Sequence, residues 1–288
     1  MKKVSAILAV VAVTLLFGAC DVIEDPIIPN TGLYNEAVYG PPPSFGAPTS
    51  TLKNVLLEDF TAHQCGNCPD AGVIASALLT SHPNRVALVA IHAGSLAAFD
   101  EASSSFNTNW ITDAGEFYFN QLDFQANPLG RVNRTGGSGA FSPPSLWSGQ
   151  TAAEMVQTAA VNMQIIAYPL PDDNVVNIHV HGNFASDYAN STNLVILITE
   201  SELYDYQLWY GNNPEVVPDY HHKHVLRGSV TGALGLQFSP ANASAGTAIQ
   251  KDYTFPWNDA WVMENAHAVA FVVDNTTGEV LNVIEADL

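Results

Sequence analysis

Hydrophobic and polar positions follow two different patterns in this chain, and the pattern changes near residue 166. In the first part, short apolar runs alternate with longer segments of helical spacing. The predicted strands cover 55–60, 86–92 and 129–133, the predicted helices cover 69–81 and 150–164, and a helical or irregular insertion fills 96–122. Alternating strands and helices predict an α/β layer with a partly parallel sheet over residues 51–166.

Beyond residue 167 the apolar positions recur at every second residue, which is typical of strands with one buried face. Val176, Ile178 and Val180 alternate with polar residues in this way. Further strands are predicted at 194–198, 225–230, 249–255, 268–273 and 280–284, and residues 274–278 have the composition of a hairpin turn. About six or seven strands in residues 167–288 predict a β-sandwich of immunoglobulin type. The predicted fold class is therefore α/β followed by all-β.

The N-terminal end, residues 1–19, has the pattern of an export signal. Lys2 and Lys3 precede an apolar stretch that is too short to span a bilayer comfortably, and small residues then lead to Cys20. Small residues directly before a cysteine resemble a bacterial lipobox, in which Cys20 carries lipid and becomes the mature N-terminus. Residues 20–50 are rich in proline and lack a sustained apolar period, which predicts a flexible tether. The sequence thus predicts membrane attachment through an N-terminal lipid.

Acidic residues outnumber basic residues by 28 to 9, which gives a formal net charge of −19 at pH 7. Such a charge repels phosphate backbones and argues against nucleic acid as a partner. Hydrophobic residues make up 47% of the 288 residues, enough for one large core or two smaller ones.

Candidate chemistry lies in the segment Cys65-Gly66-Asn67-Cys68-Pro69, which follows an apolar run and precedes an alanine-rich one. This order of strand, loop, CxxC and helix suits thiol-disulfide exchange. The unpaired amides at a helix start stabilise a thiolate, so Cys65 is the predicted nucleophile. Cys68 is the predicted resolving thiol, and Pro69 suits the first helical turn.

Two other interpretations of the CxxC pair remain open at this level. A structural disulfide that closes so short a loop contributes only about 2 kcal/mol, less than the about 3 kcal/mol of a fifteen-residue loop. A structural zinc site needs four ligands, and the sequence has no second cysteine pair.

The segment 56–69 resembles the active-site segment of the thioredoxin superfamily, with Asp59 six residues before Cys65. In that superfamily a buried acid at this spacing assists proton transfer at the resolving thiol. Burial raises the pKa of such a carboxyl toward neutrality. Glu58 is a competing candidate because neighbouring strand residues point to opposite faces, and a solvent-facing carboxylate is the alternative for both residues.

The resemblance to thioredoxins also implies a cis-proline beside the dithiol, at the start of a later strand. Pro128, in the segment 126–134, fits this position. Its implied role is to orient a substrate backbone and to keep metal ions away from the thiols. Gln64 and Asn67 stand where thioredoxin itself has Trp and Pro, so the direction of electron flow does not carry over.

A closer resemblance covers nearly the whole mature chain and concerns the twenty-eight-kilodalton outer-membrane-protein family of Bacteroidetes-type bacteria. The matching pieces are Cys20, the strand entry at 56–61, the CxxC motif, and the segments 127–134, 222–227, 270–274 and 277–281. The resemblance implies an envelope lipoprotein, in the outer membrane on its periplasmic or surface face, with a thioredoxin-like domain and an immunoglobulin-like domain.

Two further groups of side chains offer other chemistry. Histidines form one pair, His179 and His181, and one triplet, His221, His222 and His224. Zinc and copper bind imidazole, so these groups are candidate metal ligands. Their spacing matches no metal motif, and a polar loop explains the last three equally well. Aromatic side chains cluster at Tyr204, Tyr206, Trp209 and Tyr210, where they form either a ligand-binding surface or a loop packed over the sandwich.

These residues lead to two functional hypotheses. The first is a thiol-disulfide oxidoreductase-like lipoprotein without a cofactor, in which Cys65, Cys68, Asp59 and Pro128 act on thiols or disulfides of exported proteins. The second is a non-enzymatic surface-binding or adhesion lipoprotein that uses the thioredoxin-like domain as a scaffold. Neither the residues nor the resemblance indicates the substrate, the direction of electron flow, the membrane face or the oligomeric state.

Overall fold

The computed structural model of the chain describes residues 32–48, 50–121, 126–137 and 139–288. The predicted signal peptide, residues 1–19, and the predicted lipidation site, Cys20, lie outside the described residues. Within the described ranges, no helix has the length and apolar character needed to cross a membrane.

Strands dominate the described part of the chain. They are β1 (Gly32–Leu33), β2 (Val55–Thr61), β3 (Val86–His92), β4 (Leu129–Val132), β5 (Val161–Leu170), β6 (Val175–Phe184), β7 (Thr192–Glu200), β8 (Leu203–Leu208), β9 (Val216–His222), β10 (Val225–Ser229), β11 (Leu236–Ser239), β12 (Ala248–Pro256), β13 (Ala266–Asp274) and β14 (Val280–Asp287). The helices are α1 (Glu36–Tyr39), α2 (Cys68–Ser81), α3 (Asp113–Phe119) and α4 (Pro144–Met155). The mixed α/β composition and the six predicted C-terminal strands are confirmed.

One long sheet runs through both halves of the chain, in the order β14-β13-β7-β10-β3-β2-β4. Strands β2 and β3 are parallel, and β4 is antiparallel to β2. The two halves join where Val225 of β10 pairs in parallel with Ala90 of β3. The predicted division into two separate domains did not include this junction. Its physical reason is that β3 is buried along its whole length, so its edge requires a partner strand.

A second sheet, β1-β12-β6-β5, packs over the β7 and β13 part of the long sheet. Inward-facing side chains of the two sheets fill the space between them, among them Val161, Ile178, Val180, Leu194, Ile196, Ala268 and Ala270. Helices α2 and α4 cover the opposite part of the long sheet, where Leu57, Ala75, Leu88 and Trp147 are buried together. This second core packs against α2, the helix that begins at Cys68.

The helix predicted at 150–164 is wrong in its second half. Helix α4 ends at Met155, and β5 begins at Val161. Apolar residues stand at every second position from Val161 to Ala167, which is the period of a strand. The predicted domain boundary at 166/167 therefore falls inside β5.

Part of the predicted tether is ordered on the second sheet. Strand β1 pairs with β12, and the ring of Tyr34 lies 4.8 Å from the ring of His179. Phe45 stacks on His181 with ring centroids 5.3 Å apart. The two histidines considered as metal ligands thus pack against aromatic rings. Residues 32–48 belong to the fold, in contrast to the flexible segment predicted from their proline content.

Candidate functional site

The CxxC motif connects a buried strand to a helix, as its sequence pattern predicts. Strand β2 ends at Thr61, and α2 begins at Cys68 with Pro69 in its first turn. Cys65 and Cys68 form a disulfide. The amide of Cys68 donates to the carbonyl oxygen of Cys65 at 3.2 Å, so a tight turn precedes the helix. Both cysteines are deeply buried: Cys65 is only 3% exposed and Cys68 only 1%.

The cover is the hairpin of β8 and β9, which belongs to neither large sheet. From Leu208, the last residue of β8, its backbone runs along the CxxC loop. The amide of Leu208 donates to the carbonyl oxygen of His63, and the amide of Tyr210 donates to that of Gly66, each at 2.8 Å. The ring of Tyr210 packs so closely on Gly66 that a Cβ there would lie 2.5 Å from it. Glycine is required at this position by the approach of the hairpin.

Side chains of the hairpin add further hydrogen bonds to the motif. The amide nitrogen Nε2 of Gln207 donates to the carbonyl oxygens of Ala62 at 3.2 Å and Cys65 at 3.1 Å. The indole Nε1 of Trp209 donates to Oδ1 of Asp70, in the first turn of α2, at 3.1 Å. The hairpin is therefore held to both ends of the CxxC loop.

Asp59 faces the cysteine side of the sheet. It is almost fully buried on β2, and its Oδ1 has no hydrogen-bond partner among the described residues. Burial raises the pKa of the Asp59 carboxyl to about 7. This carboxyl and Cys68 line the same cavity. A carboxyl that titrates near neutral pH can both donate and accept a proton there.

Glu58, the competing candidate, faces the other side of the sheet. Arg131 donates to its Oε1 at 2.8 Å, and Arg134 donates to Oε1 at 2.7 Å and to Oε2 at 2.9 Å. Burial acts to raise the pKa of Glu58, but the charges of the two arginines outweigh it and lower the pKa below its ordinary value. Glu58 is thus an ionised member of a buried ion-pair network, away from the cysteines.

A cavity of about 500 Å³ opens beside the motif. The cysteine-side face of β2 and β3 forms its floor, α2 forms one wall and the hairpin forms the other. Its lining includes Asp59, Cys68, Leu88, Ala90, Gln207 and Tyr220. Burial, followed by the charges of Asp59 and Asp70, raises the pKa of Tyr220 to about 12, so its hydroxyl stays protonated.

Two imidazoles, those of His92 and His222, line the cavity, and a third, that of His63, lies near them. The ring of His92 lies 5.6 Å from that of His222 and 6.5 Å from that of His63. Burial lowers the pKa of His222 to about 4 and that of His92 well below its ordinary value. Both rings are therefore neutral near pH 7. Neither nitrogen of His92, nor Nε2 of His222, has a hydrogen-bond partner among the described residues.

The histidine triplet considered for metal binding is spread apart by the fold. His221 points away from His222 and stacks on Tyr204 at 4.6 Å, because successive strand residues face opposite sides. His224 follows in a left-handed turn with φ of 52°, and its ring stacks near His267 at 5.8 Å. In the part of the chain that the structure describes, no group of three or more His, Cys, Asp or Glu side chains is arranged to hold a metal ion.

Pro128 lies at the same end of the sheet as the CxxC loop. The Asn127–Pro128 peptide bond is cis, the geometry that the resemblance implies. The side-chain Nδ2 of Asn127 donates to the carbonyl oxygens of Thr61 at 3.2 Å and Ala93 at 3.1 Å. These bonds connect the residue before the proline to the ends of β2 and β3.

Several residues of this site were not predicted from the sequence. The aromatic cluster, predicted as a ligand-binding surface or a loop packed over the sandwich, belongs to the hairpin that covers the disulfide. Gln207 lies 142 residues after Cys65 and Tyr210 follows it closely, so no local pattern connects them to the motif. One of these residues, His92, could have been identified from the sequence, because it is a polar residue at the end of a fully apolar strand run.

A family model described as outer membrane protein Omp28 matches residues 116–288. Among solved structures, HBP35 of Porphyromonas gingivalis superposes with a TM-score of 0.61 at 18% identity and covers 83% of this chain and 76% of its own. A domain of the outer membrane lipoprotein Omp28 from the same organism has a TM-score of 0.31 at 22% identity, covering 46% and 91%. A protein from Agrobacterium tumefaciens has a TM-score of 0.48 at 9% identity, covering 80% and 92%. No curated protein matches the chain significantly.

Proposed function

Because this chain belongs to the Omp28 family of outer membrane proteins, its place is the bacterial cell envelope, and we propose that it exchanges thiols and disulfides with exported proteins there. One observation carries the proposal: the Cys65–Cys68 disulfide stands at the start of α2, and the carboxyl of Asp59, whose Oδ1 has no partner among the described residues, lines the same cavity as Cys68. A redox pair and a proton donor that titrates near neutrality are thereby combined in one place.

The arrangement of elements supports a thioredoxin-like unit as part of this proposal. Strands β3-β2-β4 stand in this order, β2 and β3 are parallel and joined by α2, and β4 runs antiparallel. An isolated β-bridge between Gly130 and Ser142 adds a short fourth strand position beside β4, before α4 begins. The fold shared with HBP35 is consistent with this unit.

We assign six of the remaining strands to an immunoglobulin-like sandwich. Strands β5-β6-β12 lie in one layer and β14-β13-β7 in the other. Taken in chain order, these layers correspond to strands A, B, E and G, F, C of the immunoglobulin pattern. The G-F-C layer then continues through β10 into the thioredoxin-like unit.

The proposed reaction proceeds in two steps from the reduced pair. The Cys65 thiolate attacks one sulfur of a substrate disulfide, and the other substrate sulfur leaves as a thiolate. Cys68, after giving its proton to Asp59, then attacks the Cys65 sulfur of the mixed disulfide. The Cys65–Cys68 bond closes, the second substrate thiolate leaves, and two electrons have passed to the substrate. The reverse sequence oxidises a substrate dithiol.

Access for a polypeptide requires the β8–β9 hairpin to move. Both sulfurs are covered when the amides of Leu208 and Tyr210 are bonded to the CxxC loop. Opening breaks these bonds and those of Gln207, and it exposes Cys65. The proposed activity therefore includes an opening step before exchange with a protein.

The proposal is tested by three measurements on the full chain. The reactivity of reduced Cys65 with a thiol reagent is titrated against pH, the potential of the pair is measured, and a Cys68→Ser variant is used to trap mixed disulfides. We expect a thiol pKa below the ordinary value, a potential within the range of envelope redox proteins, and trapped exported proteins. An unperturbed thiol with no trapped partner would contradict the proposal.

Attachment to the membrane through Cys20 is also proposed. The wild-type chain is expected in the membrane fraction with the added mass of lipid, and a Cys20→Ser variant is expected to lose both. An unmodified wild-type N-terminus would contradict this part alone.

The burial of both cysteines favours a second candidate function. In it, the disulfide only fastens the CxxC loop, and the protein binds a surface ligand through exposed side chains of the hairpin such as Tyr204, which is 62% exposed. A Cys65→Ser variant that keeps surface binding, together with a Cys68→Ser variant that traps no substrate, would favour this candidate.

A further inference from the structure

The cavity beside the CxxC motif reaches the disulfide by a route that the hairpin leaves open. Cys68 lines this cavity, while the hairpin covers Cys65 from outside. A volume of about 500 Å³ is within the usual range for small-molecule sites. A polypeptide cannot enter a space of this size, but a small molecule can. Cys68 borders this space although it is only 1% exposed, so a small reactant approaches its sulfur from the cavity and not through the hairpin.

The walls of the cavity indicate which small molecule fits. Leu88, Ala90 and Val225 make its floor largely apolar. Two exposed lining residues at its mouth provide one charge of each sign: Asp219 on β9 and Lys223 directly after β9. A ligand with an apolar stem and both an ammonium and a carboxylate group matches this arrangement, because each charge meets its opposite.

The inner end of the cavity has the groups that a reacting thiol requires. Asp59 and His222 are more than nine-tenths buried there, and each has a polar atom without a partner among the described residues. Burial gives Asp59 a pKa of about 7, so this carboxyl can exchange a proton with a sulfur near neutral pH.

We propose that this cavity binds a small zwitterionic thiol of the α-amino-acid type, which exchanges with the Cys65–Cys68 disulfide at the Cys68 sulfur. The inference rests on the proposed function, and it identifies the class of reductant that returns the pair to its dithiol form. Protein substrates and the small reductant then approach the pair from two sides.

The exchange balances in two steps. The ligand thiolate attacks the Cys68 sulfur, a new ligand–Cys68 disulfide forms, and Cys65 leaves as a thiolate. A second ligand thiolate attacks the ligand sulfur of this mixed disulfide, and Cys68 leaves and takes the proton from Asp59. Two ligand thiols become one ligand disulfide, and the protein gains two electrons.

The test compares thiols of matched size on the oxidised full-length protein at equal thiolate concentration. L-Cysteine has both charges, cysteamine has only the ammonium group and 3-mercaptopropionate has only the carboxylate. We expect L-cysteine to react fastest, by about tenfold over either of the others. Early acid quenching and peptide mapping are expected to place the adduct on Cys68. An adduct on Cys65, or equal rates for the three thiols, would overturn the inference.

Two leucine variants of α2 test the route of entry. The Cβ of a side chain at Gly72 would point toward the hydroxyl of Tyr220, 3.4 Å away, so Gly72→Leu narrows the cavity. Ala77 is exposed on the same helix and does not line the cavity, so Ala77→Leu is the matched control. We expect Gly72→Leu to slow the reaction with L-cysteine about tenfold and Ala77→Leu to leave it unchanged. Equal rates in the two variants would refute entry through the cavity.

A charge variant tests recognition at the mouth. Lys223→Gln is expected to slow L-cysteine and 3-mercaptopropionate but not cysteamine, because only the first two have a carboxylate. A uniform effect on all three thiols would contradict the proposed contact.

A parallel reaction with a reduced, unfolded polypeptide separates this inference from the proposed function. If the polypeptide exchanges and L-cysteine shows no preference, the cavity inference fails and the function stands. If neither reacts with the native protein, both fail.

Discussion

At the scale of single residues, Glu58 and Asp59 show how adjacent carboxyls acquire opposite properties. Both are buried on β2, but strand geometry turns them to opposite faces. Glu58 meets two guanidinium groups, and its pKa falls although burial opposes this. Asp59 meets no opposite charge, and burial raises its pKa to about 7. The cysteine-side face thus receives the carboxyl that can change its protonation state.

Replacing Asp59 by asparagine is expected to change the pH dependence of stability. The pKa of Asp59 is about 7 in the folded protein against an ordinary value of 3.8, so the folded state holds more protons between these values. Stability from this group is complete below about pH 4 and decreases as the pH rises to about 7, by at most about 4 kcal/mol. Asp59→Asn removes this decrease. Urea unfolding at pH 5 and pH 8 should show the variant gaining relative to wild type at pH 8, and parallel behaviour of the two proteins would contradict the assignment.

Replacing Glu58 by glutamine is expected to destabilise the fold strongly. The variant leaves Arg131 and Arg134 buried without their shared counter-charge, which costs about 3 to 5 kcal/mol. Glu101→Gln, at an exposed carboxylate, is the control and should change stability by less than about 0.5 kcal/mol. Chemical denaturation of the two variants measures the difference, and a loss in Glu58→Gln no larger than in the control would show that the network is not needed.

Residues whose placement depends on local spacing could be predicted from the sequence. The positions of Cys65, Cys68 and Asp59 follow from a strand, a turn and a helix that are consecutive in the chain. The partners of Glu58 and the imidazoles around His92 could not be found this way, because they come from distant strands. Their contacts depend on the register of the sheet, which the sequence pattern does not specify.

At the scale of elements, the β8–β9 hairpin covers the disulfide. It makes backbone bonds to the CxxC loop and packs Tyr210 on Gly66. Among the described residues, its two strands form a sheet only with each other. An element held by a few local bonds can open without disturbing the large sheets.

A substitution in the hairpin is expected to speed the reaction with large reductants. Tyr210→Ser removes the ring that packs on Gly66, and a loss of about 1.4 kcal/mol of closure energy raises the open population about tenfold. Tyr204→Ser, at an exposed tyrosine of the same hairpin, is the control. The rate at which a reduced polypeptide reduces the disulfide measures the effect. Equal rates for Tyr210→Ser and wild type would show that opening of the hairpin does not limit access.

Elements were predictable where their periods were unambiguous. The strands with long alternating or fully apolar runs all formed. The predicted helix at 150–164, in contrast, contains the start of β5. The apolar residues at 161, 163, 165 and 167 follow the period of a strand, but some of them also fit helical spacing. The strand pattern and the helix pattern therefore overlap in this segment. Strands β8 and β9 escaped prediction because polar and aromatic residues interrupt their alternation.

At the scale of the whole molecule, the long sheet makes the two halves depend on each other. Strand β10 covers the edge of β3, and β14 also contacts β2 and β3. The sequence predicted the contents of each half but not the junction. A single pair of residues, Val225 and Ala90, defines the parallel register there, and a link this short has no sequence signature.

The fragment 51–166 is therefore expected not to fold alone. It ends inside β5 and leaves the apolar edge of β3 uncovered, so no complete core remains around it. The fragment 51–288, which keeps the entire long sheet, is the control and should unfold cooperatively. Circular dichroism during thermal melting distinguishes the two. A cooperative transition in 51–166 would show that the first half is an independent domain.

Closure of the hairpin also couples two equilibria. If the open and closed forms differ in how easily the disulfide is reduced, then reduction must shift the balance between these forms. Consider a molecule that binds only the closed hairpin. By thermodynamic reciprocity, its binding changes the free energy of reducing the disulfide by the same amount as reduction changes its free energy of binding. An effector bound at the outer face of the hairpin would thus tune the redox pair without touching either sulfur, and the oxidation state of the pair would determine how tightly that effector is held.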